Sequence, residues 1–222
     1  MGVLIDNASQ IIDGFIVTLW LLLFAGAIAM VLGTILVAMR VSPIGVMRIT
    51  ATAYINVVRN TPLLLILFLF RDAFPTVGFN YSISNYFDFF FTAATLGLGL
   101  YAAAFVCEAL RSGINSIPVG QAEAARSIGM TFTQSMSTVI LPQAFQAVVP
   151  PLASTYIALA KNTSVALAIG VTEATFVMKK LTNDNATARW WIFVGFAAGY
   201  IIIVWAIAAV AHLIERRGAR WR

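Results

Sequence analysis

Lys161-Asn162-Thr163-Ser164 is a run of four polar side chains that follows Gln143 to Ala160 and precedes the apolar Val165 to Val171. An ionisable residue in such a setting is a functional candidate, because an unpaired charge away from water is costly. The chemistry open to it is recognition: an ammonium, an amide and two hydroxyls can hold a carboxylate. Lys161 and Asn162 suit an anionic side chain better than a cationic one. The structural alternative is a lysine that runs its stem to the membrane surface. The adjoining Asn, Thr and Ser favour a polar path.

A second polar stretch runs from Gly120 through Glu123 and Arg126 to Met130, and on through Thr131 to Leu141-Pro142. It reads as two short helices. Pro118 suits a first helical turn. Ala122, Glu123, Ala124, Ala125 and Arg126 are good helix formers with little bulk. Gly129 fits the left-handed position that ends a helix. Thr131 with Gln134 matches a capping box opening the second helix, and Pro142 limits how that helix continues. A row of alanines lets another protein approach closely, and Glu123 offers a charge for register. The plain alternative is a connecting loop.

Catalysis is not written into the chain. There is no Gly-x-x-x-x-Gly-Lys-[Ser/Thr] phosphate loop, and none of Lys161, Lys179 and Lys180 precedes Ser or Thr. No Ser/His/Asp arrangement or paired carboxylates suggest chemistry on a substrate. Cys107 and His212 are each single, which argues against a Cys/His metal site. Any ATP used must be hydrolysed by another subunit.

These stretches must be positioned by membrane helices. Of the 222 residues, 60% are hydrophobic and 10% are charged, against about 25% charged in soluble domains. The long apolar runs predict an all-α integral membrane protein, since a β-barrel would alternate. The predicted spans are 14–39, 54–74, 91–111, 143–171 and 190–214, with 118–142 between the third and fourth, in one domain covering 1–222. The start lacks Lys and Arg, so the first apolar run reads as a retained span and not as a signal peptide. Arg40, Arg48, Arg59, Arg111, Arg126 and the group Arg216, Arg217, Arg220 and Arg222 mark the cytoplasmic side. That places the N-terminus outside and the C-terminus inside. The net charge of +5 is spread over these loops and does not point to nucleic acid. Tyr81, Tyr86, Phe87, Phe89 and Phe90 read as an aromatic belt. Glu108 and Arg111 read as an i,i+3 ion pair. Pro150-Pro151 predicts a kinked or broken helix, with the polar tetrad lining a cavity after it.

Glu123-Ala124-Ala125, three residues, Gly129 and then Leu141-Pro142 resembles the EAA motif of ABC importer permeases, with Val139 where that family usually has Ile. The string Gly120 to Met130 is similar to the polar amino acid subfamily. Arg59-Asn60-Thr61-Pro62-Leu63-Leu64 and Glu108 to Ile114 also fit its pattern. The resemblance covers nearly the whole chain and implies the type I importer transmembrane fold. It implies that Gly120, Glu123, Ala124, Ala125, Gly129, Leu141 and Pro142 form the segment that couples to an ATPase. It places Arg59, Asn60 and Thr61 at the cytoplasmic end of a core helix. The implied partners are an ABC ATPase homodimer that binds ATP and Mg, a second permease chain, identical or paralogous, and an extracellular amino acid binding protein. The implied setting is the bacterial plasma membrane, and the likeness is closest to glutamate permeases. The competing classes are an ion-coupled secondary carrier and an assembly protein. The first needs intramembrane acids, whereas Asp and Glu lie almost wholly at span ends here. The second has no need of the cluster around Lys161.

Overall fold

The computed structural model describes residues 2–78 and 88–219, with side chains as far as Arg216. Tyr81, Tyr86, Phe87, the Arg217 side chain, Arg220 and Arg222 lie outside the described residues. The described chain is helical. After a short α1 (Gly2–Asp6), α2 (Ala8–Val41), α3 (Gly45–Asn60) and α4 (Leu63–Phe68) follow. α4 runs on through a wide π turn, Leu69–Ala73, to one last turn, Phe74–Thr76. Next come α5 (Phe89–Asn115), α6 (Val119–Ser127) and the single turn α7 (Phe132–Gln134). α8 (Leu141–Asn162), α9 (Ala174–Asp184) and α10 (Arg189–Ala219) complete the chain.

Among the described residues, four helical stretches are long and apolar enough to cross a membrane: Ala8–Val41, Phe89–Asn115, Phe132–Ile169 and Ala186–Arg216. The fifth is a broken pair, Gly45–Asn60 with Leu63–Thr76, bent by 106°. The predicted span 54–74 therefore straddles a corner. Its cause is local: Pro62 disfavours helical backbone at the residue before it, and Thr61 is extended at φ −100°, ψ 130°.

α5 is the centre of the bundle. Ala93, Ala94, Gly97, Leu98, Gly99, Ala102, Ala103 and Ala104 are buried on it. Lipid gives helices no hydrophobic reason to associate, so small residues that admit close backbone contact do much of the packing. A Cβ on Gly113 would collide with Val148 of α8. Cross-links between spans are few and specific. The Tyr156 hydroxyl donates to Gly26 O at 2.8 Å, tying α8 to α2, and the Tyr54 hydroxyl donates to Leu100 O at 2.8 Å, tying α3 to α5. On α10, Trp190, Trp191, Phe193, Ile202 and Trp205 are exposed, as suits a face turned to lipid or to a partner within it.

Of the kink or break expected at Pro150-Pro151, the break is not present: α8 passes through both residues. Proline's fixed φ is helical, so its cost is the lost N–H and a ring clash. Buried Val148 and Val149 hold this stretch against the bundle. The chain breaks later, where a 3-10 segment, Thr163–Ile169, ends at Gly170 with φ 99°. Pro142 stands where one helical stretch gives way to the next. It occupies the first turn of α8, preceded by a π turn, Ser135–Ile140, in which the Leu141 N–H reaches back to Met136 O.

Candidate functional site

The segment between α5 and α8 is built by its caps. Pro118 leads into α6, and Gly129, at φ 84°, turns the chain out of it. The Gly129 N–H donates to Arg126 O at 2.9 Å and the Met130 N–H to Ala125 O at 3.1 Å, which satisfies carbonyls at the helix end. The capping box is present: the Gln134 N–H donates to Thr131 Oγ1 at 3.3 Å, and the Thr131 N–H to Gln134 Oε1 at 2.9 Å. Ala125 is buried, while Gly120, Glu123, Ala124, Gly129, Leu141 and Pro142 are exposed. Val119, Ile128 and Phe132 stand 74%, 78% and 65% exposed beside Glu123 and Gly129. This apolar fringe was not singled out from the sequence. Large apolar side chains flanking the Gly turn were its signal.

The tetrad on the far end of α8 does not act as a unit. Thr163 is buried and its hydroxyl donates to Ala160 O at 2.7 Å, and Ser164 donates to Lys161 O at 2.7 Å. Lys161 is exposed, and with Ser164 it lines an open groove of about 410 Å³ beside Tyr200, Ile201, Val204 and Trp205 of α10. Asn162 faces another, of about 310 Å³, with Tyr101 and Phe105 of α5 and Ser154 and Thr155 of α8. Consecutive residues on a helix point about 100° apart, and that rotation separates the lysine from its neighbour.

Arg59 belongs to the second cavity's surroundings. Its guanidinium lies 5.8 Å from the centre of the Phe105 ring. Asn60 and Thr61 are spent on their own helix end, bonding Asn56 O at 2.7 Å and Val57 O at 2.8 Å. Arg59 also approaches Glu108, where the expected i,i+3 ion pair with Arg111 is present but is one part of a larger cluster. Arg111 does lie 3.7 Å from Glu108, but the bonded partner of Glu108 is Arg40 of α2, with Arg59 of α3 at 3.8 Å. One carboxylate thus gathers arginines from three helices. The hub was illegible in sequence because its parts are far apart along the chain.

Glu173 was also missed. It is the fully buried charged side chain among the described residues. Its oxygens accept from the N–H groups of Thr175 at 2.8 Å and Phe176 at 2.9 Å, capping α9, and from the Tyr200 hydroxyl at 3.0 Å. Burial pushes its carboxyl above the ordinary range, against the lowering effect of those bonds. No group of three or more metal-ligating side chains occurs among the described residues.

Three comparisons place this geometry among known proteins. Residues 29–220 match the family model described as "Binding-protein-dependent transport system inner membrane component". The chain is 45% identical over 203 residues to the glutamate transport system permease protein GluC of Corynebacterium efficiens, covering 89% of each. It is 34% identical to the probable glutamine ABC transporter permease protein GlnM of Bacillus subtilis, covering 98% of this chain and 97% of that one. Its fold superposes on a crystal structure of an amino acid ABC transporter with histidines at a TM-score of 0.84, 30% identity and 96% coverage of both chains.

Proposed function

The chain belongs to the binding-protein-dependent transport system inner membrane components, and on that premise we propose that it is the permease that carries an acidic amino acid, glutamate first, through an ATP-driven importer. Family membership makes it a multi-pass inner membrane subunit of an ABC importer, distinct from the ATPase, and sets aside the ion-coupled carrier. The observation that carries the mechanism is the α6 segment: a capped helix with an exposed small face and apolar fringe, set off from the bundle between two spans. The likeness to a glutamate permease at 45% identity, Lys161 on one groove and Arg59 over the Phe105 ring that lines the other support the anionic solute.

An ATPase pair, with ATP and Mg bound there, seats on the exposed Glu123 and Ala124 from the cytoplasm, while the buried Ala125 faces into the protein. A second permease chain completes the pathway, and a binding protein delivers solute from outside. The N-terminus and α9 face outside, and α6 and the end of α10 face the cytoplasm. α6 joins α8 through α7 and the π turn, so a push on α6 is transmitted along α8 to Asn162. α8 is about 33 Å long at helical rise, enough to link the cytoplasmic face to the polar tetrad. Asn162 and Tyr101 offer donors to a carboxylate, while the Ser154 and Thr155 hydroxyls, which donate to Pro150 O and Pro151 O, offer acceptors to an ammonium. Arg59 adds positive charge at the same cavity.

The test is uptake by the purified complex with its ATPase and binding protein in vesicles, across glutamate, aspartate, glutamine and arginine. ATP-dependent accumulation of the two acidic solutes is expected. Accumulation of arginine in preference to glutamate would overturn the substrate assignment, and accumulation without ATP hydrolysis would overturn the mechanism.

A further inference from the structure

Glu173 has no part in the pathway described so far. Nevertheless its surroundings join the outer helix to two spans and to the Lys161 cavity. The Ala174 N–H donates to Thr18 Oγ1 of α2 at 3.2 Å. Tyr200 of α10, which bonds Glu173, also lies 3.0 Å from Thr175 Oγ1, and it walls the cavity that Lys161 and Ser164 line. From α2 the facing group is Thr18, from α10 it is Tyr200, and the 3-10 segment Thr163–Ile169 brings no ionisable side chain. No described Lys, Arg or His lies within ion-pair distance of Glu173. On α9 itself Lys179, Lys180 and Asp184 are exposed.

We propose that Glu173 is a specificity-determining residue: its protonation state sets the electrostatic field of the Lys161 cavity from behind the Tyr200 ring. Both states keep the heavy-atom contacts. When Glu173 is ionised, the Tyr200 O–H donates to Oε2 and the Thr175 O–H donates to Tyr200. When it is protonated, the proton on Oε2 is donated to the Tyr200 oxygen, and the Tyr200 O–H turns to Thr175 Oγ1. The proton comes from and returns to outside water, and the chain of hydroxyls simply reverses. The ionised form offsets the positive field of Lys161 and disfavours an anion in the cavity. The neutral form leaves Lys161 unopposed. Burial disfavours the charge, so the change comes at higher pH than for an exposed carboxylate. The transport consequence rests on Lys161 being a pathway residue, but the charge relation does not.

The experiment reads the field directly, without any solute. Ser164→Cys is placed on a Cys107→Ala background in the purified complex, and its reaction rates with an anionic and a cationic methanethiosulfonate reagent are compared between about pH 5 and pH 8. The rate ratio cancels the thiol's own ionisation. With Glu173 present, the anionic-to-cationic ratio is expected to fall by roughly threefold as pH rises, the size expected of one unit charge at partly screened distance. With Glu173→Gln it stays at its acid value throughout. Lys161→Met lowers it at every pH. If Ser164→Cys does not fold, Val204→Cys reports from the same cavity. A ratio that does not change with pH, or that falls equally with Glu173→Gln, would overturn the proposal. If the ratio behaves as expected while the complex fails to import glutamate, the substrate reading fails and this one stands.

Discussion

Arg40 at the end of α2 is bonded to Glu108 of α5, 68 residues further along the chain. Arg59 and Arg111 stand just beyond hydrogen-bond distance of the same carboxylate. Arg40 and Glu108 are 18% and 28% exposed, and Arg59 is 47% exposed. The arrangement is a graded one, with one partner fixed and two available.

Glu108→Gln is therefore expected to destabilise the folded bundle by about 1 kcal/mol, the upper end for a partly exposed pair. Arg59→Gln should cost almost nothing in stability but slow uptake of acidic solutes. Thermal unfolding in detergent, paired with uptake rates, separates the two. Equal loss of stability in both variants would mean that Arg59 is as structural as Arg40.

Glu123→Lys and Gly129→Val are expected to leave the chain in the membrane and to uncouple or release the ATPase. The first reverses a charge on the exposed face of α6. The second puts a β-branched residue at positive φ, where an ordinary residue costs roughly 1–2 kcal/mol. Co-purification of the ATPase, with normal transport-stimulated hydrolysis, in both variants would remove α6 from the coupling role.

Lys161→Met keeps length and removes charge. Uptake of glutamate per folded complex is expected to fall by tenfold or so, equivalent to about 1.4 kcal/mol. Asn162→Asp should repel glutamate and admit cationic solutes. Because Lys161 and Asn162 face different cavities, their effects are expected to add, which a double variant measures. Lower protein abundance with a normal rate per surviving complex would make Lys161 a structural residue.

Orientation is checked by thiol labelling with an impermeant reagent on a Cys107→Ala background. Asp184→Cys at the end of α9 is expected to label in intact cells and Arg126→Cys in α6 only after permeabilisation. The reverse pattern would invert the topology that the arginines imply.

Local rules carried the reading where neighbours in sequence decide the outcome. Gly129 at positive φ and the Thr131–Gln134 box follow from residues within four positions, so both were legible. So were the apolar spans, whose length alone identifies them. The corner at Thr61-Pro62 was half legible: the proline was visible, but an expected span was drawn across it. Of the kink or break expected at Pro150-Pro151, the break is absent, since α8 runs on to Asn162. The Glu108 hub and the Glu173 network depend on helices that meet only after folding. Nothing near Glu108 in sequence indicates that Arg40 is its partner. Likewise, nothing near Asn162 indicates that Lys161 turns to a separate cavity.

The corner between α3 and α4 also bears on how the protein is made. α3 carries Arg48, Asn56 and Arg59, and α4 is only six residues long. Neither half resembles the run of about 20 apolar residues that partitions into a bilayer unaided. Leu67 of α4 and Ile55 of α3 are buried against residues of α2 and α5, so the pair gains its burial only when both neighbours are present. During synthesis, then, the pair is expected to wait at the membrane surface after α2 has inserted and to be drawn in when α5 emerges. Its placement is then expected to come late in biogenesis, fixed by the helix that follows it.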